Sequence, residues 1–206
     1  MGDGMRNWRW IGVALWVSAW VACSGEPKTE LLYTDDFETV QLGPEWKNEG
    51  GHWAIRDGVL HSEGARNKDL VLTKPLPPEA VIEVDMVSHS PQVDVKFRAW
   101  GDMRGAMHDG AYHFILGGWK NTISTLAPLG EHDPRRVEKR ESLQAEKWYH
   151  VKVIRHKGDI DLYLDGKPYL HYRDAEPLDP NIYKYFSFAN WLTDCEFDNL
   201  KIYAIK

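Results

Sequence analysis

Cysteine is nearly absent: Cys23 and Cys195 are the only two in 206 residues. At most one bridge, Cys23–Cys195, is available, in competition with any lipidation of Cys23, and a domain of this size can bury enough surface to do without one. Long apolar runs are missing too. The longest, Trp10 to Ala22, has 13 residues, short of the roughly 20 that a membrane-spanning helix needs. No Lys/Arg-rich stripe accompanies the net charge of −6, which excludes a nucleic-acid surface of the usual basic kind. The nine histidines form no His-x-His or His-x-x-x-His pair, so no zinc spacing is present. Internal repeats, low-complexity tracts and a sustained helical period are also lacking.

Aromatic rings are plentiful at 12%, including ten Trp and nine Tyr. Such an excess fits a β-rich core that leaves some rings free for sugar. The N-terminus reads Met5-Arg6-Asn7-Trp8-Arg9, then the apolar run, then Cys23-Ser24-Gly25. A basic start, a short apolar segment and small residues at the break describe an export signal over residues 1–22. Met5 serves as a start as well as Met1. Val21-Ala22-Cys23 resembles a bacterial lipobox, which implies lipidation of Cys23 and an outer-membrane lipoprotein held to the membrane by that anchor alone. Cleavage near Val17-Ser18-Ala19, leaving Cys23 a plain thiol, is the alternative. Residues 23–30 read as a polar tether and 31–206 as one domain. Cys195 is expected to be a small buried hydrophobe.

Within that domain, short alternating segments follow one another with turn signals between them. Ile82, Val84 and Met86 alternate with Glu83 and Asp85. Val93, Val95 and Phe97 alternate with Asp94, Lys96 and Arg98; Tyr112, Phe114 and Leu116 with His113 and Ile115. A period of two is the mark of strands with one buried face. Trp148 to Arg155, the turn at Lys157-Gly158-Asp159, Ile160 to Leu164, the turn at Asp165-Gly166 and Lys167 to Tyr172 predict two successive hairpins. Tyr185 to Ala189 and Glu196 to Ala204 supply the last strands. The fold class is all-β, a sandwich or jelly roll of two antiparallel sheets.

Trp53-Ala54-Ile55-Arg56-Asp57-Gly58-Val59-Leu60 resembles a strand-turn-strand of concanavalin A-like domains. Trp148 to Val153 leading into Leu164-Asp165-Gly166-Lys167, and Phe197 to Ile202, are similar to the later strands of that superfamily. Within it the chain is most similar to the 3-keto-disaccharide hydrolase-like domains. The resemblance implies a concanavalin A-like jelly roll, with ligand on the concave sheet or its rim loops, and a sugar-cleaving activity as one possible function.

Chemistry is expected between Val93 and Arg136. Arg98 and Trp100 share one strand face, with His113 on the next strand. Gly117-Gly118 then lets Trp119 face outward beside Asn121. With Asn190 and Trp191 these form a flat aromatic surface flanked by hydrogen-bonding groups, suited to a saccharide or polysaccharide. The alternatives are core or rim packing for the tryptophans, an interior histidine for His113, and a pairing of Arg98 with Asp94 or Asp102. Candidate bases are His113, and His132 or Glu131 in the loop 130–136, which equally reads as a solvated turn. Glu83 and Asp85 share a face, but Val87-Ser88 stands where laminarinase-like jelly rolls place a third acid. No cofactor is expected beyond a structural Ca²⁺ shared by Asp36 and Asp198, for which backbone capping is the simpler role. Three functions follow: a glycan-binding domain, a sugar-cleaving enzyme, or a structural envelope protein without a ligand.

Overall fold

The computed structural model describes residues 27–103 and 110–206. The signal region and Cys23 lie outside the described residues. Fifteen strands follow in chain order: β1 (Thr29–Asp35), β2 (Trp46–Asn48), β3 (Trp53–Arg56), β4 (Val59–Glu63), β5 (Leu70–Leu72), β6 (Ala80–Ser88), β7 (Val95–Gly101), β8 (Tyr112–Gly117), β9 (Ile123–Pro128), β10 (Val137–Arg140), β11 (Tyr149–His156), β12 (Asp159–Leu164), β13 (Lys167–Arg173), β14 (Tyr185–Ala189) and β15 (Asp194–Ile205). One sheet runs β13-β12-β11-β6-β15-β4-β3, with β1 also paired to β15. The other runs β10-β9-β8-β7-β14-β5-β2, and all pairings are antiparallel. This is the concanavalin A-like jelly-roll sandwich. Its first strand opens at Thr29, two residues before the expected start, because Thr29 and Glu30 pair with Ile205 and Ala204.

The hairpins follow from local chemistry. Asp57-Gly58, Lys157-Gly158 and Asp165-Gly166 each join paired strands with both residues at positive φ, as two-residue turns of type I′ require. In β11 and β12 the burial alternates residue by residue, so Val151, Val153, Ile160 and Leu162 enter the core and their neighbours face out. Between the sheets the core is aromatic. Phe188 lies 4.5 Å from Phe197, 4.9 Å from Phe186 and 5.5 Å from Trp46, ring centre to ring centre. Phe97 continues the cluster to Phe114 at 4.8 Å. Cys195 is fully buried in this core as a free thiol, and burial pushes its pKa up.

β15 holds the larger sheet together. Cys195 to Ala204 pair with β6 on one side, while Asp194 to Phe197 pair with β4 and Leu200 to Ile205 with β1 on the other. The smaller sheet differs from this alternating pattern: β7, β8 and β9 are buried on both faces. Their second face is the concave one, and loops cover it.

Candidate functional site

The concave face begins with β7, where the two-residue period puts Lys96 and Arg98 on the side away from the aromatic core. Across the sheet Arg98 pairs in register with His113 on β8 and Ser187 on β14, and Lys96 with Ile115 and Ala189. Ser187 and Ala189 are small, which leaves a hollow above β14. Lys96, Arg98 and His113 are only 5%, 4% and 7% exposed. Charged groups this deep must be paired. Arg98 forms an ion pair with Asp69, which is fully buried and also accepts the Ser187 hydroxyl at 2.7 Å. Lys96 Nζ lies 3.6 Å from both Asp94 Oδ1 and Glu131 Oε2.

His113 has a different environment. Burial, with Arg98 and Lys96 adding repulsion, pushes its pKa down to about 3. The ring is therefore neutral at any ordinary pH, and its Nε2 has no partner within the protein. A pKa this low makes it a weak base, and its Nε2 is a neutral hydrogen-bonding edge beside the inner lobe. Asp94 shifts the other way, because burial raises its carboxyl pKa against the pull of Lys96.

Above this floor lies a cleft of about 290 Å³ lined by Asn67, Asp94, Lys96, Trp119, Glu131, His132 and Trp191. An inner lobe of about 110 Å³ continues from it to Arg98, His113 and Ala189. The rim is strained. Asn67 (φ 57), Asp94 (φ 41) and Trp119 (φ 50) all occupy the left-handed region, as do their neighbours Arg66, Val93, Lys120 and Asn121. Such conformations cost of order 1–3 kcal/mol each in non-glycine residues and gather at functional sites. The Trp119 turn is held by Thr122 Oγ1 donating to the Trp119 carbonyl at 2.8 Å and by Asn121, which bonds both backbone groups of Leu143.

The expected site residues divide accordingly. Arg98, His113, Trp119, Glu131, His132 and Trp191 come together, with Trp191 41% exposed at the mouth. Trp100 does not join them. It has a φ of 49° beside a register break between β7 and β14, which turns its ring into the sandwich. There it is fully buried, donates Nε1 to the Pro77 carbonyl at 2.8 Å and packs against Arg155. Asn190 is also fully buried, its amide tied to Ser62 and Thr193, so it shapes the loop before Trp191 rather than meeting a ligand. Asn121 likewise spends its side chain on Leu143.

Asp36 and Asp198 are close enough for their charges to repel, with Asp85 and Glu38 beside them. Asp36 caps the Glu38 N–H, and Asp198 accepts from Asn199. Among the described residues no three His, Cys, Asp or Glu side chains converge to hold a metal, whereas Ca²⁺ takes about 6–8 oxygens. Glu83 and Asp85 lie on the outer face of the larger sheet, where Asp85 meets His150 at 2.7 Å. The residues missed were Asn67, Asp69, Asp94 and Lys96. The alternation Asp94-Lys96-Arg98 carries a signal for two of them, since they share the strand face of Arg98.

Several solved structures share this fold. A carbohydrate-binding module from Bacillus subtilis matches with a TM-score of 0.64 at 14% identity, over 78% of this chain and 96% of that one. An endo-beta-1,3-glucanase from Pyrococcus furiosus matches with a TM-score of 0.64 at 13% identity, over 87% and 96% of the two chains. A laminarinase from a Flavobacterium species gives 0.64 at 10% identity, over 85% and 100%. At such identities these share the fold alone. Among curated proteins none matches the sequence. The sequence profile of one family does match, over residues 21–203, and with the sandwich and its concave cleft in place the chain belongs to that family, the 3-keto-alpha-glucoside-1,2-lyase-like domains.

Proposed function

We propose that the concave-face cleft is a saccharide-binding site. The observation that carries this is the pairing of Trp119 and Trp191 at the mouth of a cleft whose floor is charged and buried. A pyranose presents C–H groups to a flat ring and hydroxyls to directional partners, and this cleft supplies both. The names of the B. subtilis and P. furiosus structures, a carbohydrate-binding module and a glucanase, support the reading. Trp119→Ala is expected to weaken glycan binding about tenfold, equivalent to about 1.4 kcal/mol, as measured by glycan array followed by affinity electrophoresis. Binding unchanged in the variant would remove Trp119 from the site, and no glycan bound by the wild type would end the proposal.

A second reading is favoured by Lys96 and its two carboxylates. In a 3-keto-glycoside the ketone acidifies the hydrogen on C2. Glu131 or Asp94 would take that proton, and the C–H electron pair would move onto the C3 oxygen as an enolate facing Lys96 and Arg98. Collapse of the enolate forms the C1–C2 double bond and breaks the glycosidic C1–O bond, and the leaving oxygen departs with a proton. Fixed positive charge next to a developing oxyanion contributes about 10²–10³-fold in rate. Lys96→Met is therefore expected to lower kcat on a 3-keto-glucoside by that factor, read as the loss of enone absorbance. An unchanged kcat counts against Lys96 in this role, and no turnover by the wild type counts against the reaction.

A further inference from the structure

β9 leaves the concave sheet at the end away from the Trp119 turn, and the hairpin loop 129–136 leads back to β10. A hairpin loop ordinarily projects beyond its sheet. Here Leu129 (φ 56) and Gly130 (φ 147) reverse the chain, and the loop lies back over the concave face. Glu131 thereby reaches Lys96 on β7, two strands across from β9, at 3.6 Å. His132 meets the edge of Trp119 at 5.8 Å between ring centres, and the Arg136 guanidinium sits 4.8 Å over the same ring. The loop is braced within itself. The Asp133 N–H donates to Gly130 at 3.0 Å, Arg136 Nη1 donates to the Glu131 carbonyl at 2.9 Å, and Arg135 makes a two-pronged contact with Asp133. It acts as a strap across the groove, and it explains why Arg98 and His113 are so deeply buried.

We infer that the cleft receives the end of a saccharide chain and not an internal stretch of a polymer, because the 129–136 strap closes the groove over the inner lobe. The inference rests on the saccharide reading above. Internal binding needs a groove open at both ends. Here the cleft of about 290 Å³ at the tryptophans adjoins a smaller one of about 110 Å³ at Arg98 and His113, and Glu131 and His132 of the strap line both. Small-ligand sites run from about 300 to 1,000 Å³, so even the outer lobe holds one or two rings. The terminal unit would lie beside Glu131 and His132 with its leading hydroxyl directed into the inner lobe, towards the unpartnered Nε2 of His113, and the following unit would lie near Trp119 and Trp191. Both the order of units and the excluded ligands follow from the strap.

Linear and cyclic glucans of the same linkage separate the possibilities, since cyclic ones have no ends. Maltoheptaose is compared with β-cyclodextrin, and linear β-1,2-glucan oligosaccharides with cyclic β-1,2-glucan, by calorimetry on the whole domain. The wild type is expected to bind the linear member of a pair at least tenfold more tightly. Replacing residues 130–135 by an Asn-Gly turn is expected to bring the cyclic member to within threefold. Should that variant fail to fold, Arg136→Gln, which removes the guanidinium over Trp119 and the bond to Glu131, is expected to narrow the gap in the same direction. Equal affinity of the wild type for linear and cyclic members overturns the inference while the saccharide reading stands. An undiminished gap in a folded strap variant also overturns it. Absence of binding to every member, by wild type and variants alike, overturns both.

Discussion

Substitution of Asp69 by alanine is expected to destabilise the domain by about 3–5 kcal/mol, the usual consequence of removing one partner from a buried ion pair. Asp69 is fully buried, holds Arg98 in an ion pair and accepts the Ser187 hydroxyl. Without this carboxylate the Arg98 guanidinium stays beneath the strap at 4% exposure, and the Ser187 hydroxyl loses its acceptor. Removing both charges is a different matter, since a buried pair replaced by apolar groups of similar size is often neutral. The double variant Asp69→Leu/Arg98→Met is therefore expected to recover most of the loss. Urea denaturation of the two variants provides the measurement, and a loss below about 1 kcal/mol for Asp69→Ala contradicts the account. The pair also aims Arg98 at the inner lobe, so a variant that keeps the fold but frees Arg98 should bind saccharide poorly.

The second large effect is an acid limb in stability due to His113. Its folded pKa is depressed to about 3, while in the unfolded chain it titrates near 6.5. Above pH 6.5 the ring is neutral in both states, and the full stability is present. As the pH falls from 6.5 towards 3, the unfolded chain binds a proton that the folded one refuses, so stability declines. The slope approaches about 1.4 kcal/mol per pH unit, which amounts to roughly 3 kcal/mol by pH 4. His113→Gln keeps the polar shape without the titration and is expected to flatten the limb by that amount. His89, whose pKa is raised by Glu146 and Glu196, contributes in the opposite sense: its share is full below its unfolded pKa and is lost as pH rises through the folded one. It is common to both proteins, so the difference between their denaturation midpoints at pH 7 and pH 4 isolates His113. Parallel pH profiles for the two would show that the ring is not held neutral.

How much of this was legible depends on which sheet is considered. In β11 and β12 the alternation and the Lys-Gly turn specify strands, register and buried face from local sequence, and the structure agrees; in β13 a bulge opposite Leu162 and Tyr163 interrupts the pattern after the Asp-Gly turn. In β7 the same alternation puts Arg98 on the expected ligand-binding face but leaves Lys96 and Asp94 without a role, because nothing local announces that a loop some 30 residues later folds over them. Asp69, which pairs with Arg98, lies in the loop just before β5 and carries no signal of its own. Trp100 was misplaced for a subtler reason. A strand pattern assumes that faces alternate without interruption, and one residue at positive φ beside a register break reverses every assignment beyond it. The loop 130–136 divides in two. Asp133 and Arg135 form a self-contained turn, while Glu131 and His132 line the cleft.

The place of β15 in the larger sheet has a consequence for biosynthesis. Among the described elements this strand leaves the ribosome last, yet it lies between β6 on one side and β1 and β4 on the other. Until residues 194–205 emerge, three earlier strands lack the neighbour that satisfies their backbone groups, and no half-made sheet can close. Pairings this distant along the chain delay folding until the loop-closure cost can be repaid. Nascent chains should therefore remain unfolded until this strand has emerged, a state that a chaperone can hold open.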